Sequence, residues 1–258
     1  MSGFHPPLSN HLAALQRAGS VFPDTELSAL IAASVSPTHL SELVSRRVAG
    51  TPMQYLLGHV EFAGLRLLVR EGTFIPRPRT EFLAKLAVAR LRASECFLDL
   101  ACGVGPVAAY VAHRRPDVTI TAVDNEPTAL AVAHENLRDR AALVRASGPP
   151  ALEGSNFHVI AANLPYVPTS QLAFMPLDVR EFEPLAAIDG GSDGLEPLRL
   201  WAVGLPRLLR PGGTFLVEVG RDQCDEAGRI LGQAFGRPIN IEVCYDRQLE
   251  GTVVALTV

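Results

Sequence analysis

From Cys96 onward the hydrophobic period of this chain switches back and forth between about two and about 3.6 residues. The apolar stretches CFLDL (96–100), VTITAVD (118–124), AALVR (141–145) and FHVIAAN (157–163) alternate with amphipathic segments. Val104, Val107, Ala108, Val111 and Ala112 form one apolar stripe, and Leu130, Ala133 and Leu137 another. The short apolar runs read as buried strands and the wider spacing as helices laid over the sheet. This alternation folds as a doubly wound α/β domain. Beyond a proline-punctuated loop over 164–194 the pattern gives a helix near 195–209, the strand GTFLVEVG, another helix, and the strands INIEVCYD and GTVVALTV. The connector between the last two is too short for a crossover, so they form an antiparallel hairpin at one end of a parallel sheet.

Upstream of Cys96 the signals differ. Leu12 and Leu15, then Leu27, Leu30 and Ile31, then Leu40, Leu43, Val44 and Val48 follow helical spacing, and Ser36 before Pro37 is a ready N-cap. HVEFAGLRLLV (59–69) reads as a hairpin turning near Ala63-Gly64, and IPRPRTE (75–81) as an extended linker entering a helix. The expected organisation is a helical segment over 1–50, a hairpin linker over 51–74 and the α/β domain over 75–258.

The 48% hydrophobic content suffices for a large core without staples, and the net charge of −4 argues against a long nucleic-acid footprint. The four cysteines (Cys96, Cys102, Cys224, Cys244) form no C-x-x-C pair and no zinc-like spacing with histidine. A reduced, cytoplasmic protein with no metal site, no membrane span and no signal peptide is expected; the oligomeric state is left unknown. His113, His134 and His158 read as surface or packing residues.

DLACGVGPVA (99–108) follows a strand and opens a helix. Gly103 and Gly105 permit a tight turn and a close backbone approach, and Asp124 ends the next strand, where a carboxylate can accept both hydroxyls of a ribose. This motif alone suits NAD or S-adenosylmethionine equally. Cys102, inside the loop, reads as a small packed residue.

AANLPYVP (161–168) stands at the exit of the fourth strand, beside that cofactor loop. The Asn163 side-chain oxygen and the Leu164 carbonyl can accept two N–H groups of a planar nitrogen, Pro165 stiffens the loop, and Tyr166 offers a ring face. Arg79, on an extended proline-flanked segment, is expected to be solvated and outside the chemistry.

Four segments in order, TPMQYLLGHVEFAGLRLLVREGTFIPRPRTE (51–81), DLACGVGP (99–106), AANLPYVP (161–168) and REFEPLAAIDGGSDGLEPLR (180–199), resemble the HemK-type protein-(glutamine-N5) methyltransferase family across nearly the whole chain. The resemblance implies a Rossmann-like, seven-stranded class I methyltransferase domain using S-adenosylmethionine, preceded by a helical domain that docks substrate. By that match Ala101, Cys102, Gly103, Val104, Gly105 and Asp124 hold the cofactor with Asn163, while Asn163, Leu164, Pro165 and Tyr166 carry the transfer and hold the acceptor. Leu164 stands where the family usually has proline, Arg79 where it has an acid, and Ala101 where it has glycine. These departures point to a side branch of undefined substrate.

The expected activity is N-methylation of a planar side-chain nitrogen: a protein glutamine amide, or the amide or guanidine of a free amino acid such as arginine. Glu181 and Glu183 could neutralise a cationic substrate, alongside Asn163 and Tyr166. Adenine-N6 methylation of nucleic acid is the second reading, since such loops also clamp a flipped base. A non-catalytic cofactor-binding protein is the third.

Overall fold

A computed structural model describes residues 8–152, 154, 156–236 and 239–258; the first seven residues of the expected helical segment lie outside these. Helices α1 (Leu8–Arg17), α2 (Pro23–Ala33), α3 (Pro37–Val48) and α4 (Met53–Leu57) open the chain. Ser36 caps α3, its hydroxyl accepting the His39 N–H at 3.1 Å, with Pro37 in the first turn. Leu15, Leu27, Leu30, Leu40, Leu43, Val44 and Leu56 bury against one another, so these helices carry a core of their own. Strands β1 (His59–Phe62) and β2 (Leu65–Leu68) then form an antiparallel hairpin. Its two turn residues, Ala63 (φ 49°) and Gly64 (φ 81°), both take the left-handed conformation that matches the twist of paired strands.

The large sheet contains β3 (Cys96–Leu100), β4 (Thr119–Asp124), β5 (Ala142–Arg145), β6 (Phe157–Ala162), β7 (Leu209–Glu218), β8 (Asn240–Asp246) and β9 (Gly251–Thr257), in the order β5-β4-β3-β6-β7-β9-β8. Only β9 runs against the others, because a four-residue turn at 247–250 returns it beside β8. Helices α5 (Thr80–Arg90), α6 (Pro106–Arg114) and α7 (Pro127–Leu137) and the later α11 (Cys224–Phe235) cover the sheet. Alternate residues face opposite layers: Leu98, Leu100, Ile160 and Phe215 fill one, Phe97, Val159, Leu216 and Ala255 the other. The central strands are therefore apolar on both faces, as burial on both sides requires.

Strand order reverses at β3, which lies between β4 and β6. In an open α/β sheet, ligands bind in the crevice beyond the carboxyl ends at such a point. Here that crevice receives the loop after β3, Asp124 at the end of β4, Asn163 after β6 and Glu218 at the end of β7.

The expected loop over 164–194 is more ordered than its prolines suggest. It contains α8 (Leu177–Phe182) and folds back on itself, Val167 donating to Ile188 O at 3.1 Å and accepting from Gly190 N–H at 2.8 Å. The single helix expected near 195–209 is two short ones, α9 (Glu196–Ala202) and α10 (Leu205–Leu208), separated at Gly204. Glycine weakens a helix interior, and here an added Cβ would lie 2.2 Å from Pro149 Cβ. Among the described residues no helix is long and apolar enough to cross a membrane.

Candidate active site

The crevice holds a cavity of about 580 Å³, within the roughly 300–1,000 Å³ usual for a cofactor site. Of the residues expected to hold the cofactor, all but Gly105 line it, as do Asn163, Leu164, Pro165 and Tyr166. Gly105 serves packing instead. Its φ of 83° is left-handed, and a Cβ there would lie 3.0 Å from Leu137 Cδ1 on α7.

The loop between β3 and α6 is held by carboxylates. Asp124 accepts the Gly103 N–H at 2.8 Å and the Glu126 N–H at 2.9 Å, one on each oxygen. Asp99, fully buried, accepts the Ala108 N–H at 2.8 Å. Burial pushes the Asp99 carboxyl up to about 7, with the Ala108 N–H opposing and the nearby Asp124 charge adding to the rise. Asp124 is raised too, mainly by burial. Ala101 adopts φ 53°, a left-handed conformation that an alanine holds only at a cost. Cys102 is buried, its thiol pushed well up by burial, and its N–H binds Val123 O at 2.9 Å, so it packs as expected. Asn136 Nδ2 donates to both Val104 O (2.9 Å) and Leu68 O (3.0 Å), tying the loop to the hairpin.

Across the cavity, Asn163 Nδ2 donates to Thr80 Oγ1 at 3.2 Å. Leu164 is buried, its side chain joining the main core. The Tyr166 carbonyl is held by Gln223 Nε2 at 2.9 Å, and its hydroxyl donates to Glu218 Oε1 at 3.2 Å. Burial first, then the Glu218 charge, pushes the Tyr166 phenol above its ordinary value, so it stays a donor. Glu218 is 2% exposed and its carboxyl is raised by burial, against the opposing effects of Thr80, Arg79 and Tyr166.

The methyltransferase small domain family matches residues 78–175, which span this loop, Asp124 and the Asn163 segment. The release factor glutamine methyltransferase of Moorella thermoacetica is 39% identical over 212 residues, covering 80% of this chain and 74% of that one. That of Bordetella pertussis is 36% identical over 242 residues, covering 90% and 87%. The chain belongs to the release factor glutamine methyltransferase family. It is an S-adenosylmethionine-dependent N-methyltransferase. A solved methyltransferase from Pyrococcus furiosus shares the fold, with a TM-score of 0.53 at 15% identity over 76% of this chain and 89% of that one.

Within this family frame, three expectations need correction. Arg79 is exposed, as expected, but not remote from the cavity: it lines it, its Nε 3.4 Å from Glu218 Oε1 and its guanidinium 5.7 Å from the centre of the Tyr166 ring. The linker folds back over the sheet edge because α5 begins at Thr80 and must pack on β6, β7 and β9. Glu183 is buried away from the cavity lining and already spent, accepting the Ile75 N–H at 3.0 Å and pairing with Arg77. Glu181 is exposed on α8 and also outside the lining. Neither is placed to neutralise a substrate in this cavity. Thr80, Asp99 and Glu218 were not singled out from the sequence. An acid at or next to the end of an apolar strand, as Glu218 is in GTFLVE and Asp99 in CFLDL, was the available signal.

Proposed function

We propose that this protein transfers a methyl group to the side-chain amide nitrogen of a glutamine in a protein, with Asn163 and the Leu164 carbonyl holding the acceptor. The observation that carries this reading is the fixed direction of the Asn163 amide. Its NH₂ is turned to Thr80, which leaves the oxygen available as an acceptor in a residue that lines the same cavity as the Gly103 loop. An amide nitrogen is a poor nucleophile because its lone pair is delocalised. Acceptors that take its N–H groups aim the nitrogen and stabilise positive charge developing on it. Holding two reactants in line supplies up to about 7–11 kcal/mol without further groups. Bound S-adenosylmethionine would supply an electrophilic methyl on its sulfonium. The left-handed backbone at Gly103 and the carboxylates of Asp99 and Asp124 in the cavity lining support a site for such a cation, and Asp124 would accept its ribose hydroxyls.

The protein substrate named for the relatives supports a glutamine within a release factor over a free amino acid. The helical segment suits docking of a protein: it has its own core yet leaves Val21, Phe22 and Val35 largely exposed (79%, 69% and 88%). The test is incubation with labelled S-adenosylmethionine and separately a release factor, a Gly-Gly-Gln peptide, free glutamine, free arginine and DNA, read by mass spectrometry. Label on a glutamine of the protein is expected. Label only on free amino acids or on DNA would overturn the reading.

A further inference from the structure

We infer that Gln223 is a positioning residue for methyl transfer: together with the loop over 188–194 it clamps the Tyr166 backbone and so fixes the direction in which Asn163 and the Leu164 carbonyl meet the acceptor. The inference rests on the proposal that these two groups hold the acceptor.

Asn163 and Leu164 lie on a short span between two fixed points. On one side is Ala162, the last residue of β6, in register with Val217 of β7. On the other side Tyr166 is held at both ends, its carbonyl by Gln223 Nε2 at 2.9 Å and its hydroxyl by Glu218 Oε1 at 3.2 Å. Val167 follows, bonded through its N–H and carbonyl to Ile188 and Gly190, and the Thr169 N–H donates to Gly191 O at 2.9 Å. Only 163–165 are left between these points, and the Pro165 ring fixes its own φ. A shift of the Tyr166 backbone therefore has few torsions to absorb it before it turns the Leu164 carbonyl.

Gln223 immediately precedes α11, is 7% exposed and does not line the cavity. Its Oε1 accepts the Gly220 N–H at 2.8 Å. A backbone N–H only donates, so the amide oxygen must face Gly220 and the NH₂ must face away from it. There its two protons go to carbonyls on separate loops, Tyr166 O at 2.9 Å and Asp193 O at 3.1 Å. An ionised glutamate of the same shape would bring no donor to either. Gly194 completes the fit: its φ is 81°, and an added Cβ would collide with both Tyr166 O and Gln223 Nε2. The stretch GGSDG (190–194) thus packs against the segment that follows the acceptor grip. The cofactor loop shares none of these bonds, since Gly103 and Ala108 are held by Asp124 and Asp99. Loss of the clamp should act on transfer and leave cofactor binding alone.

The experiment measures single-turnover methylation of a release factor, steady-state kcat and KM, S-adenosylmethionine affinity and melting temperature for Gln223→Glu, Gln223→Met, Asn163→Ala and Val118→Ala. Gln223→Glu keeps the shape and the Gly220 bond but loses both donors. It is expected to slow transfer by at least about 10-fold with KM changed much less than kcat, because small misplacements of groups that aim a reactant are costly in rate. Gln223→Met should slow transfer as well, and cofactor affinity should stay parental in both. Val118→Ala truncates a buried side chain just before β4, at the end of the sheet away from the crevice. It should lower the melting temperature and keep the parental rate per folded molecule, which separates positioning from general destabilisation. A parental rate in Gln223→Glu, a loss that falls on KM alone, or an equal loss of rate in Val118→Ala would each overturn the inference. If Gln223→Met does not fold, the glutamate variant decides alone. A slow Asn163→Ala beside fast Gln223 variants removes only the clamp. A fast Asn163→Ala removes the gripping role on which it rests.

Discussion

The Gly103 N–H donates to Asp124 Oδ2 across 2.8 Å, so the strand-ending acid holds the glycine loop in shape before any ligand arrives. Asp124 thus holds the loop, and we propose that it also receives the cofactor. Asp124→Ala is expected to weaken S-adenosylmethionine binding by about 1.5–3 kcal/mol, the range for hydrogen bonds to a charged group. Asp124→Asn, which keeps one accepting oxygen, should lose less. Titration calorimetry reads both, and unchanged affinity in the alanine variant would take Asp124 out of the site.

Ala101 sits at φ 53° where the resembled family has glycine. Removing its Cβ relieves left-handed strain, partly offset by the extra freedom glycine gives the unfolded chain. Ala101→Gly should stabilise the fold by about 0.5–1 kcal/mol and raise the melting temperature by roughly 1–4 °C. A lower melting temperature would mean that packing of the alanine methyl outweighs the strain.

Asp99 makes stability depend on pH with a definite sign. Its folded-state value of about 7 lies above the unfolded value of about 3.9, so between these the folded chain holds a proton that the unfolded chain has lost. Stability should fall as pH rises from about 4 to about 7 and level off above that. Asp124, raised in the same direction, adds to the slope. Denaturant titrations should show a shallower slope in Asp99→Asn, which can still accept the Ala108 N–H. An identical slope in that variant would exclude Asp99 as its source.

Asn163→Ala removes the oxygen assigned to the acceptor and one hydrogen bond to Thr80. Transfer in a single turnover with saturating cofactor should slow by on the order of 10²-fold or more, with the fold intact and cofactor affinity changed only modestly. Leu164→Pro keeps the carbonyl and should retain activity. Because Leu164 is packed in the core, it should also cost some stability, detectable as a lower melting temperature.

The local signals in the chain were enough for the elements, since each rests on neighbours a few residues apart. Apolar runs set β3 to β6, Ser36-Pro37 sets the start of α3, and Ala63-Gly64 sets the hairpin turn. The glycine loop, Asp124 and AANLPYVP were legible because each ends a strand, and parallel strands deliver their ends to one crevice. What only the tertiary structure decided are the pairings across that crevice. Asn163 meets Thr80 from 83 residues away and Tyr166 meets Glu218 from 52, and such bonds leave no period in the sequence. For the same reason Arg79, exposed as expected, nevertheless lines the cavity beside Glu218, while Glu183, which looked free for a substrate, was taken up by Ile75 and Arg77. A charged side chain is assigned by what the fold packs around it, because its energy is set by partners and burial that do not exist until the chain has closed.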